Sequence, residues 1–343
     1  MRAFALFLGL MLLALAAMAV FSYPAWLLLH PHFDFPFHRI GERIGMLALL
    51  VGFVLIARRA KLGDRCSLGY GLPRRLFVRE LLRALAIGAV TMLLIVAIMT
   101  GLGLLNWSEA QGISGARLAS LIGARLLSGL AVGLIEETFL RGAMFTGIER
   151  ESGAPAAIIL TSIVYSATHF FASFHIPAQQ VSAASGLALL DGTLHLFADP
   201  LQIADAFLCL FAVGVVLACI RAVTGNIAAC IGLHAGWVWV MLVAHELTRP
   251  VRGQPLSFLL SQFDGFVGWL VLGWTVVLGF ALLSFYRRHA VAAAPRLILP
   301  PAGSRDSTSP GARGDPAARD STASPSDSTA GSQPTDNPPR RHR

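Results

Sequence analysis

Long apolar runs separated by short polar connections make up most of the chain before residue 290. An α-helix rises about 1.5 Å per residue, so each run is long enough to cross about 30 Å of hydrocarbon. The pattern therefore predicts an all-α, polytopic transmembrane helical bundle of about eight spans. The predicted spans cover residues 3–22, 40–57, 83–105, 118–148, 153–174, 201–221, 225–247 and 264–286.

Three parts of this pattern need separate interpretation. The fourth run is longer than one crossing requires, so it is expected to tilt or to continue beyond the bilayer. The connection from His175 to Pro200 is mixed in character and predicts an interfacial loop or a short helix. The first run could be a signal peptide cleaved at Ala17–Ala19, but its length and the interfacial Tyr23 and Trp26 favour an uncleaved span.

Composition supports the membrane assignment. Hydrophobic residues make up 55% of the chain and charged residues 13%, whereas soluble domains carry about 25% charged residues. The net charge of +8 comes from arginines at the ends of apolar runs and in the C-terminal tail. Because they form no basic patch interleaved with aromatic residues, the sequence predicts membrane lipid as a partner and no nucleic acid.

The arginines also predict topology and organisation. Most of them, including Arg221 at the end of the sixth run, fall on one side if both termini are cytoplasmic. The arginine-rich composition suggests a bacterial protein, and hence a plasma-membrane location. The chain is expected to comprise N-terminal spans and a basic loop (1–79), a core (80–250), a last span (251–289) and a disordered, Ser- and Pro-rich tail (290–343).

The fourth run contains three charges close together, Glu136, Glu137 and Arg141. On insertion scales they would cost roughly 7–10 kcal/mol at membrane depth unless they pair in a protected interior. Glu137 and Arg141 are four residues apart, so on a helix they share one face and can form an ion pair. Glu136 is rotated by about 100° and has no such partner, which leaves its carboxylate free for chemistry.

Two histidines lie in other apolar runs. His169 is in the fifth run, with Tyr165 four residues earlier on the same helical face. His234 is in the seventh, beside small residues that permit close helix approach, namely Gly232, Ala235 and Gly236. Such a set suits hydrolysis: Glu136 and His169 would activate a water, and His234 would donate to the oxyanion that forms. No serine or cysteine nucleophile is required.

These residues resemble the motifs of the CPBP intramembrane peptidases, which include the CAAX prenyl proteases, the Abi family and lysostaphin resistance protein A-like proteins. Glu136-Glu137-x-x-x-Arg141, Tyr165-x-x-x-His169 and His234 correspond to EExxxR, FxxxH and HxxxN or HxxxD. The resemblance covers roughly residues 80–250. It implies an endopeptidase in which Glu136 and His169 activate water and His234 contributes to the oxyanion site, with Glu137, Arg141 and Tyr165 in support.

The sequence departs from the family pattern at two positions. Tyr165 replaces the usual Phe and adds a hydroxyl near His169. Val238 stands where Asn or Asp is expected, and loss of one oxyanion donor can cost about 10²–10³ in rate. Three outcomes are open: catalysis is weak, a donor from elsewhere such as Trp237 or Trp239 substitutes, or the protein binds peptides without cutting them.

Several interpretations therefore remain open from the sequence. A zinc peptidase would use Glu136, His169 and His234 as metal ligands; otherwise no cofactor is expected. A non-catalytic scaffold or immunity-type regulator on the same fold is the alternative outside enzymes, and a transporter is disfavoured because broken helices and repeats are absent. The predicted substrate is a peptide or membrane protein: a prenylated C-terminal peptide, a bacteriocin precursor or a membrane-protein loop.

Overall fold

The computed structural model describes residues 1–33, 35–170 and 175–293. Within these ranges helices account for nearly all regular structure. The helices are α1 (Arg2–Leu29), α2 (Phe37–Arg59), α3 (Arg74–Gly101), α4 (Gly115–Glu137), α5 (Phe145–Thr168), α6 (Ser185–His195), α7 (Ala204–Thr224), α8 (Ala228–Leu247) and α9 (Trp269–Ala293). The predicted tail, residues 290–343, lies outside the described residues from 294 onward.

Among the described residues, seven helices are long and apolar enough to cross a membrane. The fourth of them comprises α4, α5 and the turn that joins them and covers 54 residues, Gly115–Thr168, which at about 1.5 Å per residue is far longer than one crossing. Gly153 divides it, because its φ of 82° and ψ of 166° are not helical and break the helix direction. The long helix therefore supplies two segments, consistent with the predicted bundle of about eight spans.

The ends of several helices differ from the predicted spans. α3 begins at Arg74 rather than near residue 83, because Pro73 suits a helix start and the charged first turns can extend into the interface. α6 forms the short helix expected between His175 and Pro200. A two-stranded antiparallel ribbon, β1 (Leu105–Asn106) with β2 (Arg249–Pro250), joins the chain just beyond the ends of α3 and α8.

The central helix of the site region is α8, which packs closely between α3 and α4. A Cβ added to Gly232 would lie 2.3 Å from the carbonyl oxygen of Leu81 on α3. On the opposite side, a Cβ at Gly129 of α4 would lie 2.7 Å from the carbonyl oxygen of Ala235. The predicted close approach at these small residues is therefore present, and it brings side chains of α4 and α8 together in the membrane interior.

A tight connection makes α7 and α8 antiparallel neighbours. Gly225 ends α7 in the left-handed conformation, with φ of 68°, and its N–H donates to the Arg221 carbonyl. Asn226 then accepts a hydrogen bond from the backbone of Ala228 through its side-chain oxygen, at 3.0 Å. The chain thus reverses within three residues, which places the end of α7 beside the start of α8.

Candidate active site

A π-helical turn, Thr138–Met144, separates α4 from α5. The N–H of Phe145 bonds to the carbonyls of Gly142 and Leu140, three and five residues back, and not to that of Arg141, four residues back. Turns of this kind are rare and often occur at functional sites. This turn immediately follows Glu136 and Glu137 and contains Arg141, so it lies at the centre of the charged segment identified in the sequence.

Glu137 and Arg141 form a fully buried ion pair. Arg141 Nη1 lies 3.0 Å from Glu137 Oε1, and both side chains have 0% exposure. The guanidinium also donates through Nη2 to the Gly214 carbonyl on α7, at 3.1 Å, and its carbon lies 4.7 Å from the ring centroid of Tyr165. The pair predicted from four-residue spacing is therefore present, and its further contacts with α5 and α7 offset the cost of burying the charges.

His234 joins this pair from α8. Its Nδ1 lies 2.8 Å from the same Glu137 oxygen, Oε1, and the imidazole is 2% exposed. Because a carboxylate can only accept, Nδ1 carries the hydrogen and Nε2 faces the other way, 3.5 Å from the Tyr165 hydroxyl. Glu137 therefore orients His234 as well as neutralising Arg141, a role that sequence spacing did not predict.

His169 is oriented by its own helix. It caps the end of α5, and its Nδ1 lies 2.7 Å from the carbonyl oxygen of Tyr165. This contact requires a hydrogen on Nδ1, so Nε2 of the neutral imidazole is an acceptor. The Tyr165 and His169 rings meet with centroids 4.5 Å apart, whereas the Tyr165 hydroxyl is within bonding reach of His234. The Tyr165 ring therefore packs against His169, as expected of a neighbour on the same helical face, while its hydroxyl makes one long contact with His234.

A cavity of about 130 Å³ lies against both histidines. Its lining includes Tyr165, His169 and His234, with mostly apolar side chains around them. Val238 also lines it, so the position that is polar in the resembled family is apolar here. Asp264, from the connection before α9, faces the same cavity. Within the described residues, His169 and His234 thus share one concave, largely apolar site.

Glu136 is placed differently from the two histidines. Its side chain is half-buried, and it lies close enough to Tyr165 to act on the phenol electrostatically. Among the described residues it has no hydrogen bond or ion pair, and it is not part of the cavity lining. The carboxylate is therefore unpaired, as its rotation from Glu137 predicts, but it does not line the cavity that His169 and His234 share.

The two tryptophans considered as substitute donors are not available. Trp237 Nε1 donates to Thr91 Oγ1 on α3, and Trp239 Nε1 donates to the Ile122 carbonyl on α4, both at 3.0 Å. Each indole has a single N–H, which is already used for helix packing. The expectation that Trp237 or Trp239 replaces the missing donor at Val238 is therefore wrong in this structure.

Arg221 is a residue whose importance the sequence did not reveal. Its place at the end of a run predicted an interfacial, cytoplasmic arginine, but the side chain is 6% exposed and points back toward the π-helical turn. Its Nε donates to the carbonyl of Arg141 at 3.0 Å. One feature of the sequence could have indicated that Arg221 is buried. It precedes Gly225, the glycine that ends the helix, by four residues and therefore lies one full turn inside α7.

A metal ion would need at least three ligand side chains close together in the site. Within the described residues, no three His, Cys, Asp or Glu side chains lie close enough together to hold one. In this conformation Glu136, His169 and His234 therefore do not form a ready ligand set. A 2-His-1-carboxylate zinc site would require Glu136 to move toward the cavity that the two histidines line.

The helical membrane bundle buries a Glu–Arg ion pair and places two histidines on one cavity. Residues 118–240 match the family described as type II CAAX prenyl endopeptidase Rce1-like. That segment contains all three motifs, and it confirms the family that the motifs predicted. Searches of curated proteins and of solved structures gave no match. The protein is thus an integral membrane protein in which residues 118–240 are similar to the CAAX-type intramembrane endopeptidases.

Proposed function

We propose that this protein hydrolyses peptide bonds within the membrane by means of a water activated by Glu136 and His169. The observation that carries the proposal is the shared cavity of His169 and His234, with His234 held by the Glu137–Arg141 pair. Substrates consistent with an apolar cavity are peptides or membrane-protein segments, for which the family suggests prenylated C-terminal peptides or bacteriocin precursors. The family and topology pattern favour a bacterial plasma membrane with both termini cytoplasmic.

The first step is attack of water on the scissile carbonyl. His169 Nε2 accepts a hydrogen bond from the water, since Nδ1 is committed to the Tyr165 carbonyl. The Glu136 carboxylate takes the proton as the new carbon–oxygen bond forms, and the carbonyl oxygen becomes the oxyanion. Because Glu136 does not line the cavity, the proposal requires the carboxylate to reach this water by a side-chain rotation or through a second water.

His234 stabilises the oxyanion in its imidazolium form, in which Nδ1 and Nε2 both carry a hydrogen. Nδ1–H remains on Glu137 while Nε2–H points into the cavity. Before attack the buried charges balance, because the carboxylates of Glu136 and Glu137 match Arg141 and imidazolium His234. After attack the oxyanion carries the negative charge that protonated Glu136 has lost, so the balance is kept. When the carbon–nitrogen bond breaks, the proton held by Glu136 passes to the leaving amine, which completes hydrolysis.

A non-catalytic role on the same fold is the second candidate. It is favoured by Val238, which leaves the cavity without the family's usual amide or carboxylate, and by the committed Trp237 and Trp239 N–H groups. In that case the cavity would bind a hydrophobic peptide segment without cleaving it. The two functions differ in a single measurable property, turnover.

The test uses the full chain purified in detergent and a library of internally quenched peptides. Wild type should release fluorescence, and Glu136→Gln should lower kcat by about 10²–10⁴ because the amide cannot take the proton. Glu109→Gln is the matched control, because Glu109 is an exposed carboxylate paired only with Arg249 at the surface. If wild type and Glu136→Gln cleave equally, or both are inert on every peptide, the scaffold replaces the peptidase.

A further inference from the structure

The π-helical turn is tied to the rest of the protein at both of its ends. At its later end the carbonyl of Arg141 has lost its α-helical donor, since Phe145 N–H bonds to Leu140 instead. Arg221 Nε occupies that carbonyl at 3.0 Å. A residue on α7 thus fixes the backbone of the very arginine that pairs with Glu137.

The second contact of Arg221 reaches one turn further along the chain. Its Nη2 lies 3.3 Å from Thr146 Oγ1. The Thr146 hydroxyl donates its only hydrogen to the Ser67 carbonyl, at 2.7 Å, so it accepts from Arg221. The guanidinium also stands 5.6 Å from the ring centroid of Phe145. Arg221 therefore contacts three consecutive parts of the segment that follows the site.

Tyr70, in the loop between α2 and α3, holds the earlier end of the turn. Its hydroxyl lies 2.6 Å from Thr138 Oγ1, and Thr138 Oγ1 donates to the Leu134 carbonyl. Thr138 can then only accept, so Tyr70 is the donor. Burial raises the pKa of the Tyr70 hydroxyl, more than the Thr138 contact lowers it, and the phenol stays protonated at neutral pH.

The same loop covers the middle of the turn. A Cβ added to Gly142 would lie 3.0 Å from the carbonyl oxygen of Leu68. Residues 67, 68 and 70 of the loop that was predicted to be basic and cytoplasmic therefore pack against the π-helical turn and the residues that follow it. This segment lies outside residues 118–240, the part that matches the family.

We propose that Arg221 and Tyr70 are positioning residues that clamp the π-helical turn and so fix Glu136 and Glu137 for hydrolysis. The inference rests on the proposed function. π-Helical geometry is less favourable than α-helical geometry, and reversion to regular α-helix would rotate the carboxylates relative to α5 and α8. A misplacement of about 1 Å can cost about 10² in rate, so the clamp acts on turnover more than on substrate binding.

The test compares Arg221→Met, Arg221→Lys and Tyr70→Phe, with Arg288→Met as a control that also removes one arginine from the predicted cytoplasmic side. For the monodisperse, folded fraction, Arg221→Met should lower kcat about tenfold or more and leave KM within about twofold. Arg221→Lys keeps a charged donor for the Arg141 carbonyl and should restore most of the loss. Tyr70→Phe should lower kcat by roughly three- to tenfold. Arg288→Met should match wild type.

Hydrogen exchange provides a readout that does not depend on turnover. Peptides covering residues 134–148 should exchange faster in Arg221→Met and Tyr70→Phe than in Arg288→Met. If wild type cleaves, Glu136→Gln does not, and folded Arg221→Met and Tyr70→Phe both retain wild-type kcat, the clamp is refuted while the peptidase stands. If Glu136→Gln equals wild type, the peptidase itself fails. Unchanged exchange over residues 134–148 refutes the clamp in either case.

Discussion

His234 Nδ1 and Glu137 Oε1 are 2.8 Å apart and join α8 to α4 at the buried end of the cavity. The same oxygen accepts from Arg141 Nη1 at 3.0 Å. One carboxylate thus holds a fixed cation on its own helix and a titratable ring on another. A carboxylate behind a histidine fixes the orientation of the ring and which nitrogen carries the hydrogen, so Glu137 is expected to matter for both folding and catalysis.

The first prediction is that Glu136 and Glu137 contribute differently to the stability of the folded protein. Glu137→Gln leaves Arg141 buried without its counter-charge and should destabilise the protein by about 3–5 kcal/mol. Glu136→Gln removes a half-buried carboxylate that has no hydrogen bond among the described residues, and it should change stability by less than about 1 kcal/mol. Thermal unfolding in detergent measures both. Equal losses of Tm in the two variants would contradict the division of roles.

The second prediction concerns the Tyr165 hydroxyl. Tyr165→Phe restores the residue usual in the resembled family, keeps the ring beside Arg141 and His169, and removes only a long contact of 3.5 Å to His234. We expect kcat to change by less than about threefold, since a contact of this length contributes little. Tyr165→Leu is the matched comparison, because it removes the ring and should lower activity much more. A large loss in Tyr165→Phe would instead give the hydroxyl a direct part in hydrolysis.

The third prediction concerns the apolar position in the cavity. Val238→Asn adds an amide donor to the wall that carries His234. Because one oxyanion donor can be worth about 10²–10³ in rate, kcat should rise at least several-fold if the oxyanion site is incomplete. Val238→Leu controls for the change of shape and should not raise kcat. A rate increase in both variants, or in neither, would argue against a missing donor at this position.

The fourth prediction addresses metal dependence. Since Glu136, His169 and His234 are not gathered in one ligand set within the described residues, we expect 1,10-phenanthroline to leave peptide cleavage unchanged. The control is the non-chelating isomer 1,7-phenanthroline at the same concentration. Loss of activity with the chelator alone, followed by recovery on addition of Zn²⁺, would establish the zinc peptidase as the correct alternative.

The helices were predictable because membrane spans are encoded locally, in the length of apolar runs. The break at Gly153 and the Glu137–Arg141 pair also follow from local sequence, since a glycine with positive φ and a four-residue spacing need no tertiary information. The contact of His234 with Glu137 could not be predicted in this way. It depends on how closely α8 approaches α4. Small residues such as Gly129 permit that approach, but their effect is seen only once the two helices are packed.

Arg221 shows the limit of charge patterns. The positive-inside rule treats an arginine near a helix end as an interfacial anchor. It takes no account of backbone carbonyls on neighbouring helices that could accept hydrogen bonds from the arginine. The π-helical turn creates such an acceptor at the Arg141 carbonyl, and the side chain of Arg221 turns inward to reach it. A local departure from α-helical geometry thus determined where this charge lies, and sequence periodicity carries no signal for that departure.

The last prediction tests the topology that the remaining arginines indicate. Asn106 lies in β1, beyond the end of α3, and Arg288 lies near the end of α9. With both termini in the cytoplasm, Asn106 should be outside and Arg288 inside, so alkaline phosphatase fused after Asn106 should be active and the same fusion after Arg288 inactive. A green fluorescent protein fused at each position should give the opposite pattern.

Arg221 no longer counts as an interfacial charge, but the arginines of the loop before α3 still dominate the unequal distribution of positive charge between the two sides of the membrane. If both fusions report the same side, the bundle of about eight spans must contain one crossing fewer or one more between α3 and α9.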